Sequence, residues 1–327
     1  MKTELKPLYY LLKSFLLFLL IKYSISCECG LENIETRIIN GQEVRRNRYP
    51  WYVKVGDCGG GLVSDRHVIT SAHCLVPLEL KKKKMRIVIG VHSMEDYKTL
   101  PSLEAEEYII HQDYVMFDQK YYNDIAIIKL KERIQFTDGI NPICLPNFNG
   151  TDNLFSYGLG HQLVDGKIVL AKVMHEVELD RISNLFCNRV LKLIGNVFWF
   201  NKELSFCSLN HRRNNAICLG DSGNPVSTRK DGRIYLVGLP SLCDHDCGKY
   251  KIYPNLFENI FSHLKWIRKH TLDGEFCYGE HNAFNPYSVV DVNQETQENA
   301  VDIYHQKEDD DNYNPHVLID IPDEEDE

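Results

Sequence analysis

Short apolar runs, separated by polar and turn-forming residues, dominate the chain up to residue 271. The runs are rich in Val, Ile and Tyr and are bounded by Gly, Asn, Asp and Pro, a pattern typical of short β-strands. The strands predicted in this way are Trp51–Val55, Arg86–Ile89, Ile125–Leu130, Lys167–Val173 and Ile234–Leu239. Helical spacing of apolar residues predicts two helices, at Ser183–Val190 and Leu256–Lys269. The pattern therefore indicates an all-β body that ends in a helix.

The N-terminal pattern predicts a cleaved signal peptide over residues 1–26. Lys2 and Lys6 precede an apolar run, Leu8–Ile21, and small residues lie just before Cys27. A membrane anchor is the alternative, but the run is short for a span of about 20 residues. The mature protein is therefore expected to be secreted, with no membrane attachment.

Acidic residues are concentrated at the C-terminal end of the chain. The formal net charge is −9, yet the segment from Glu280 onward contains 15 Asp and Glu residues and one Lys, which leaves +5 for the remainder. Such a segment cannot bury enough apolar surface to fold, so residues 272–327 are predicted to be a disordered tail. One basic run, Lys81–Lys84, is either a solvated loop or an exosite for an acidic partner, such as this tail. No clustered basic face indicates a nucleic-acid partner.

Eleven cysteines without zinc-finger spacing indicate disulfides formed in an oxidising compartment. The sequon that starts at Asn149 is then a candidate glycosylation site on a surface loop. The sequence contains no convincing metal or cofactor motif, and no cofactor is expected.

Three segments carry residue types that together can activate a serine. A serine hydroxyl attacks a peptide carbonyl only when an imidazole takes its proton and a buried carboxylate orients that imidazole. The segments are Thr70-Ser71-Ala72-His73-Cys74, Asn123-Asp124-Ile125-Ala126 and Gly220-Asp221-Ser222-Gly223-Asn224-Pro225. Glycines around Ser222 permit a tight turn, and the N–H groups of Gly220 and Ser222 can stabilise an oxyanion.

These segments resemble the TAAHC, DIALL and GDSGGP motifs of the chymotrypsin/trypsin family. Further segments match in the same order: Arg37-Ile38-Ile39-Asn40-Gly41, Pro142-Ile143-Cys144-Leu145-Pro146 and Gly158-Leu159-Gly160. The resemblance implies two six-stranded antiparallel β-barrels with a C-terminal helix. The corresponding organisation is an activation peptide over residues 27–37, a protease domain over residues 38–271, and then the tail.

The resemblance also implies the roles of the site residues. Ser222 is the nucleophile, His73 the general base and Asp124 the residue that orients it. Cleavage after Arg37 by a trypsin-like protease would free the ammonium of Ile38 to pair with Asp221. The implied disulfides are Cys58–Cys74, Cys187–Cys207, Cys218–Cys247 and a bridge from Cys144 to Cys27 or Cys29. Cys277 could then tie to the N-terminal segment, which would leave Cys243 reactive, bridged to another molecule, or simply buried.

The sequence departs from the family at the substrate pocket. Trypsins carry Asp six residues before the nucleophile, where this chain has Ala216, and Ile217 beside it would narrow the pocket. Lys251 would recognise an acidic substrate residue, fill the pocket or turn into solvent. In the cleft strand, Ser241 is followed by Leu242 and Cys243 in place of Trp and Gly.

Two hypotheses follow. The first is a secreted serine endopeptidase precursor with non-trypsin specificity, whose partners are protein or peptide substrates, an activating protease and serpin-type or other protein inhibitors. The second is a catalytically silent homologue that acts as a binding or regulatory protein. An intact triad and activation site favour the first, whereas the altered pocket favours the second.

Overall fold

The computed structural model describes residues 27–33, 44–76, 84–117, 120–150, 153–193, 201, 203–210, 216–243, 247 and 253–277. All of them belong to the first of two compact units into which the chain divides, Met1–Pro286. The first eight strands are Tyr52–Val55 (β1), Cys58–Leu62 (β2), His67–Thr70 (β3), Ile87–Ile89 (β4), Ala105–Ile110 (β5), Val115–Phe117 (β6), Lys120–Tyr122 (β7) and Ala126–Leu130 (β8). Those that follow are Asn153–Gly158 (β9), His161–Val164 (β10), Lys167–Leu170 (β11), His175–Ile182 (β12), Ser205–Asn210 (β13), Val226–Lys230 (β14), Arg233–Leu242 (β15) and Asn255–Asn259 (β16). The helices are Met94–Thr99 (α1), Asn184–Leu193 (α2) and Ile260–His270 (α3).

Six antiparallel strands of the N-terminal half form one sheet in the order β4-β1-β2-β3-β8-β5. An isolated bridge between Ile87 in β4 and Leu103, just before β5, joins the two ends of this sheet. Trp51, Ile69 and Ile127 are fully buried in its core. The predicted first barrel is therefore a sheet that curls until its ends meet at a single bridge.

Six antiparallel strands of the C-terminal half form a closed barrel in the order β12-β13-β16-β15-β14-β9. Its interior packs Leu154, Val177, Phe206 and Phe257 into one apolar cluster. Closure pairs every strand on both edges, which leaves no edge exposed to aggregation. The predicted all-β fold with two six-stranded units and a terminal helix is confirmed.

The terminal helix begins later than the sequence pattern indicates. Leu256 and Phe257, read as its first apolar residues, lie in β16, which pairs with β13 on one edge and β15 on the other. Helix α3 starts at Ile260 because the side chain of Asn259 accepts the N–H of Phe261, an N-cap contact. Among the described residues, no helix has the length and apolar character needed to cross a membrane.

Five disulfides join ten of the eleven cysteines, at Cys27–Cys277, Cys29–Cys144, Cys58–Cys74, Cys187–Cys207 and Cys218–Cys247. Three of these are the pairs that the resemblance implies, and Cys144 uses Cys29. Cys243 is in none of the five bridges and is partly buried. Residues 272–277, assigned to the tail by prediction, instead pack onto the body, where Phe276 and Cys277 are buried.

Candidate active site

His73 lies in a single 3-10 turn, Ala72–Cys74, directly after β3. Its ring atom Nδ1 lies 2.7 Å from Asp124 Oδ2, and its backbone N–H donates to Asp124 Oδ1 at 2.9 Å. Burial lowers the pKa of His73, but the charge and hydrogen bond of Asp124 outweigh burial and raise it overall. Asp124 holds Nδ1, and 17% of the side chain is exposed, so any proton exchange with a reactant would use Nε2.

Asp124 is fully buried, two residues before the start of β8. Besides the two contacts from His73, its Oδ2 accepts the hydroxyl of Ser241 at 2.7 Å. A buried carboxylate needs such donors, since it has lost its water. Ser241, predicted to line the substrate cleft, therefore fixes Asp124 and links the closed barrel to the first sheet.

Ser222 lies in a turn that packs against the segment carrying His73. The next residue, Gly223, has a φ of +72°, and a Cβ there would lie 2.4 Å from Thr70 Oγ1, so only glycine fits. The carbonyl of Ser222 accepts the N–H of Gly59 at 2.8 Å. Since Thr70 ends the strand before the His73 turn, this packing brings Ser222 to the same end of the sheet as His73.

Asp221 holds the loop that would supply the oxyanion donors, where Gly220 has a φ of +86°. Its carboxylate accepts three N–H groups, from the backbone of Cys218 at 3.0 Å, the backbone of Gly160 at 3.2 Å and the side chain of Asn224 at 2.8 Å. A Cβ on Gly160 would lie 2.3 Å from this carboxylate, so the loop has no room for a larger residue there.

Burial raises the pKa of Asp221 to about 6, although the backbone N–H groups of Cys218 and Gly160 and the charge of Lys54 act to lower it. Lys54 is itself almost fully buried, and burial lowers its pKa to about 8. Its ammonium donates to the carbonyl of Asp57 at 2.8 Å. The Asp221 carboxyl is thus a buried acid whose surroundings do not fully compensate its charge.

The predicted pocket residues are dispersed in the structure. Ala216 and Ile217 line a small cleft together with Asp221, although Ile217 is fully buried and packs with the barrel core. Leu242 packs instead against a separate cluster that contains the Cys187–Cys207 bridge. Lys251 lies outside the described residues, as do the signal peptide, Arg37, Ile38 and nearly all of the predicted tail.

The candidate glycosylation site and one group of metal-ligand-type residues remain to be placed. Asn149 is exposed, and its Oδ1 accepts the side-chain amide of Asn259 at 3.0 Å. Cys58, His73 and Cys74 bring ligand-type atoms within 4.8 Å of one another. The two sulfurs form a disulfide and are therefore not thiolates, so this group does not fit a metal ion.

Glu258 is a site residue that the sequence interpretation missed. It lies in β16 with 2% of its surface exposed, and its Oε1 accepts the backbone N–H of Asp124 at 2.8 Å. The helical interpretation of Leu256–Lys269 concealed it, because acidic residues are common on the exposed face of a helix. The sequence signal for a buried Glu258 is its position between the apolar residues Phe257 and Ile260, which are both fully buried in the structure.

Sequence and fold comparisons relate this chain to known proteins. The Trypsin family model matches residues 38–267. This chain belongs to the trypsin family. It is 30% identical over 271 residues to CLIP domain-containing serine protease B15 of Anopheles gambiae, with 75% of this chain and 72% of that protein covered. It is 28% identical over 277 residues to venom serine protease 34 of Apis mellifera, with 79% of this chain and 64% of that protein covered.

A solved structure of a serine protease has a similar fold. It is that of neuropsin, a serine protease expressed in the limbic system of mouse brain. The TM-score is 0.60 at 25% identity, over 72% of this chain and all of the neuropsin chain. The trypsin-like character of the chain therefore rests on sequence and fold together.

Proposed function

We propose that this chain is a secreted serine endopeptidase precursor. The observation that carries the proposal is the hydrogen-bonded pair of His73 and Asp124, with the Ser222 turn packed against the same segment. Ser222 attacks the scissile carbonyl while His73 takes its proton and then gives it to the leaving amine. Asp124 fixes the imidazole tautomer. The N–H groups of Gly220 and Ser222 stabilise the oxyanion, a contribution of about 2.7–4 kcal/mol for one donor.

Activation by cleavage after Arg37 is part of this proposal. The new ammonium of Ile38 would enter the cleft lined by Gly160, Ala216 and Asp221 and pair with the Asp221 carboxylate. Such a cation would offset the burial that raises the pKa of Asp221. The bridges Cys27–Cys277 and Cys29–Cys144 would keep the activation peptide attached after cleavage.

Primary specificity is expected to differ from that of trypsin. Ala216 offers no carboxylate to a basic substrate residue, so we expect poor cleavage after Arg or Lys. Lys251 would favour Asp or Glu if it lies in the pocket, and apolar residues would be accepted if it does not. Protein substrates, an activating trypsin-like protease and protein inhibitors are the partners that this function requires or attracts.

A silent homologue is the second candidate, and the pocket favours it. Leu242 and Cys243 follow Ser241, and a side chain at Cys243 would crowd the entrance of the substrate cleft. A cleavage profile on a mixed peptide library separates the candidates, using protein clipped at Arg37 beside a Ser222→Ala control. Cleavage that is lost in the control supports the peptidase. No cleavage and no labelling by a fluorophosphonate, with Ile38 verified as the new N-terminus, would instead establish the silent homologue.

A further inference from the structure

Glu258 brings a second buried carboxyl group to the back of the triad. Strand β16 holds it between β13, where Ser205 pairs with it, and β15, where Leu239 does. Its Oε1 accepts the Asp124 N–H at 2.8 Å. The N–H that it binds belongs to the residue whose carboxylate orients His73. Glu258 can therefore fix the backbone from which that carboxylate projects.

The second oxygen of Glu258 has no hydrogen-bond partner in the described part of the chain, although it is buried. Nε2 of His263 in α3 lies 3.8 Å from this oxygen. The other ring nitrogen of His263, Nδ1, lies 2.9 Å from the carbonyl of Asn259. Nε2 also lies 3.4 Å from Oδ1 of Asn123, a second acceptor, so the one N–H of the neutral ring is directed at one of these two oxygens. Oε2 therefore has no donor within hydrogen-bond distance among the described residues, and a negative charge on it would be uncompensated.

The charged groups around Glu258 favour the neutral acid. Asp124 contacts Glu258 through its own backbone and carries a carboxylate nearby. His263 lies on the α3 side, and burial lowers its pKa. Behind it, the ring of His111 packs edge-on at 5.5 Å, and burial lowers its pKa to about 4. Ser205 and Leu239, on the flanking strands, cannot ionise. The groups that face Glu258 from these elements therefore supply no cation at neutral pH.

We propose that Glu258 is a positioning residue of the triad, which holds Asp124 in place as a neutral carboxylic acid. This role rests on the proposed peptidase function. Burial, with the charge of Asp124 adding to it, raises the pKa of Glu258 to about 8. A single negative charge then remains behind His73 at neutral pH. Above about pH 8 a second charge appears there, and it makes His73 a stronger base.

Carbon-13 NMR of glutamate side chains tests the neutral acid without using activity. The full chain with Ser222→Ala, which cannot digest itself, is labelled at glutamate carboxyls and titrated. We expect one glutamate carboxyl to titrate with a midpoint of about 8, far above the usual pKa of about 4.3. This titration should be missing in Glu258→Gln. If every glutamate titrates below about 6, the proposal is wrong. Because no catalysis is needed, this result is independent of whether the peptidase function holds.

The kinetic test compares pH profiles of kcat/KM, which report groups of the free enzyme. The Gln amide oxygen can still accept the Asp124 N–H but cannot ionise. The ratio of kcat/KM for wild type to that for Glu258→Gln should be constant between pH 6 and 7 and rise about threefold through pH 8. Titration of the Ile38 ammonium occurs in both proteins and cancels in the ratio. A ratio that stays flat with pH would overturn the proposal.

A third variant tests the hydrogen bond itself. Glu258→Leu removes the acceptor and should lower kcat at least about tenfold with little change in KM, because Asp124 loses its backbone contact. Glu107→Gln, which removes an exposed carboxyl of β5, is the matched control and should behave as wild type. A folded Glu258→Leu protein with wild-type kcat would contradict the positioning role.

Discussion

Cleavage after Arg37 should change how the stability of the protein depends on pH, because it would supply Asp221 with a cation. In the single chain, the Asp221 carboxyl has three N–H donors and the nearby charge of Lys54, yet burial still raises its pKa to about 6. The pKa of an Asp side chain in an unfolded chain is about 3.9. The folded single chain therefore binds more protons than the unfolded chain between these two values.

The sign and size of the effect follow from this gap. Where the folded state binds more protons, the free energy of unfolding falls as pH rises. The contribution of Asp221 is thus fully present below about pH 4 and is lost as pH rises through about 6. A gap of about 2 in pKa corresponds to a loss of about 3 kcal/mol. Once the Ile38 ammonium pairs with the carboxylate, the folded pKa falls and most of this loss should disappear.

Urea unfolding at pH 4, 5, 6 and 7 measures the effect. The single chain is kept intact by Arg37→Gln and compared with clipped protein, both carrying Ser222→Ala, each with and without Asp221→Asn. The Asn variant cannot titrate at this position, so subtracting its profile removes the contribution of groups such as His67, whose pKa burial lowers to about 4.

Two results would refute this reasoning. One is that the free energy of unfolding of the single chain changes with pH in parallel with that of its Asp221→Asn variant, since burial would then not raise the pKa of Asp221. The other is a clipped protein that loses stability between pH 4 and 6 as steeply as the single chain, since Ile38 would then not reach Asp221.

Two further variants test the scaffold of the triad. Ser241→Ala removes the 2.7 Å hydrogen bond to Asp124, and a hydrogen bond to a charged group contributes about 1.5–3 kcal/mol. In steady-state assays kcat should therefore fall roughly ten- to a hundredfold with KM nearly unchanged. An unchanged kcat would show that Ser241 does not hold Asp124 in place. Replacing Cys58 and Cys74 together by Ser opens a loop of sequence separation 16 and should lower the free energy of unfolding by about 3 kcal/mol. Urea midpoints of the double variant and wild type measure this loss, and equal midpoints would contradict it.

Local motifs made much of the site predictable from the sequence. His73, Asp124 and Ser222 each lie in a short segment whose chemistry and chain order can be recognised without knowing the fold. The structure adds contacts between residues that are far apart in the sequence. Ser241 was assigned to the cleft because its strand lines the substrate site, but its hydroxyl reaches Asp124, 117 residues away. Such a contact depends on how the two sheets meet.

Glycine content and apolar periodicity are weak guides to two strands of this fold. Strand β2 contains three consecutive glycines, Gly59–Gly61, and glycine normally indicates a turn. A Cβ at Gly59 would lie 1.8 Å from Asn224 Oδ1, so this strand is glycine-rich because the Ser222 turn packs directly on it. In β16, Leu256 and Phe257 fit helical spacing with Ile260 by coincidence, and pairing with two neighbouring strands overrides it.

Three buried acids near the catalytic loops differ in how their charge is balanced. Asp124 and Asp221 each accept three hydrogen bonds, so the number of donors does not distinguish them. Asp124 has an imidazole that would become cationic during the proposed reaction, whereas Asp221 would gain a direct cationic partner only when Ile38 is released. Among the residues that the structure describes, Glu258 has one hydrogen-bond donor, the Asp124 N–H, and only a histidine of lowered pKa nearby, so we infer that a proton neutralises it. On this argument, catalysis, activation and the pH response would each follow from the partner available to one buried carboxyl group.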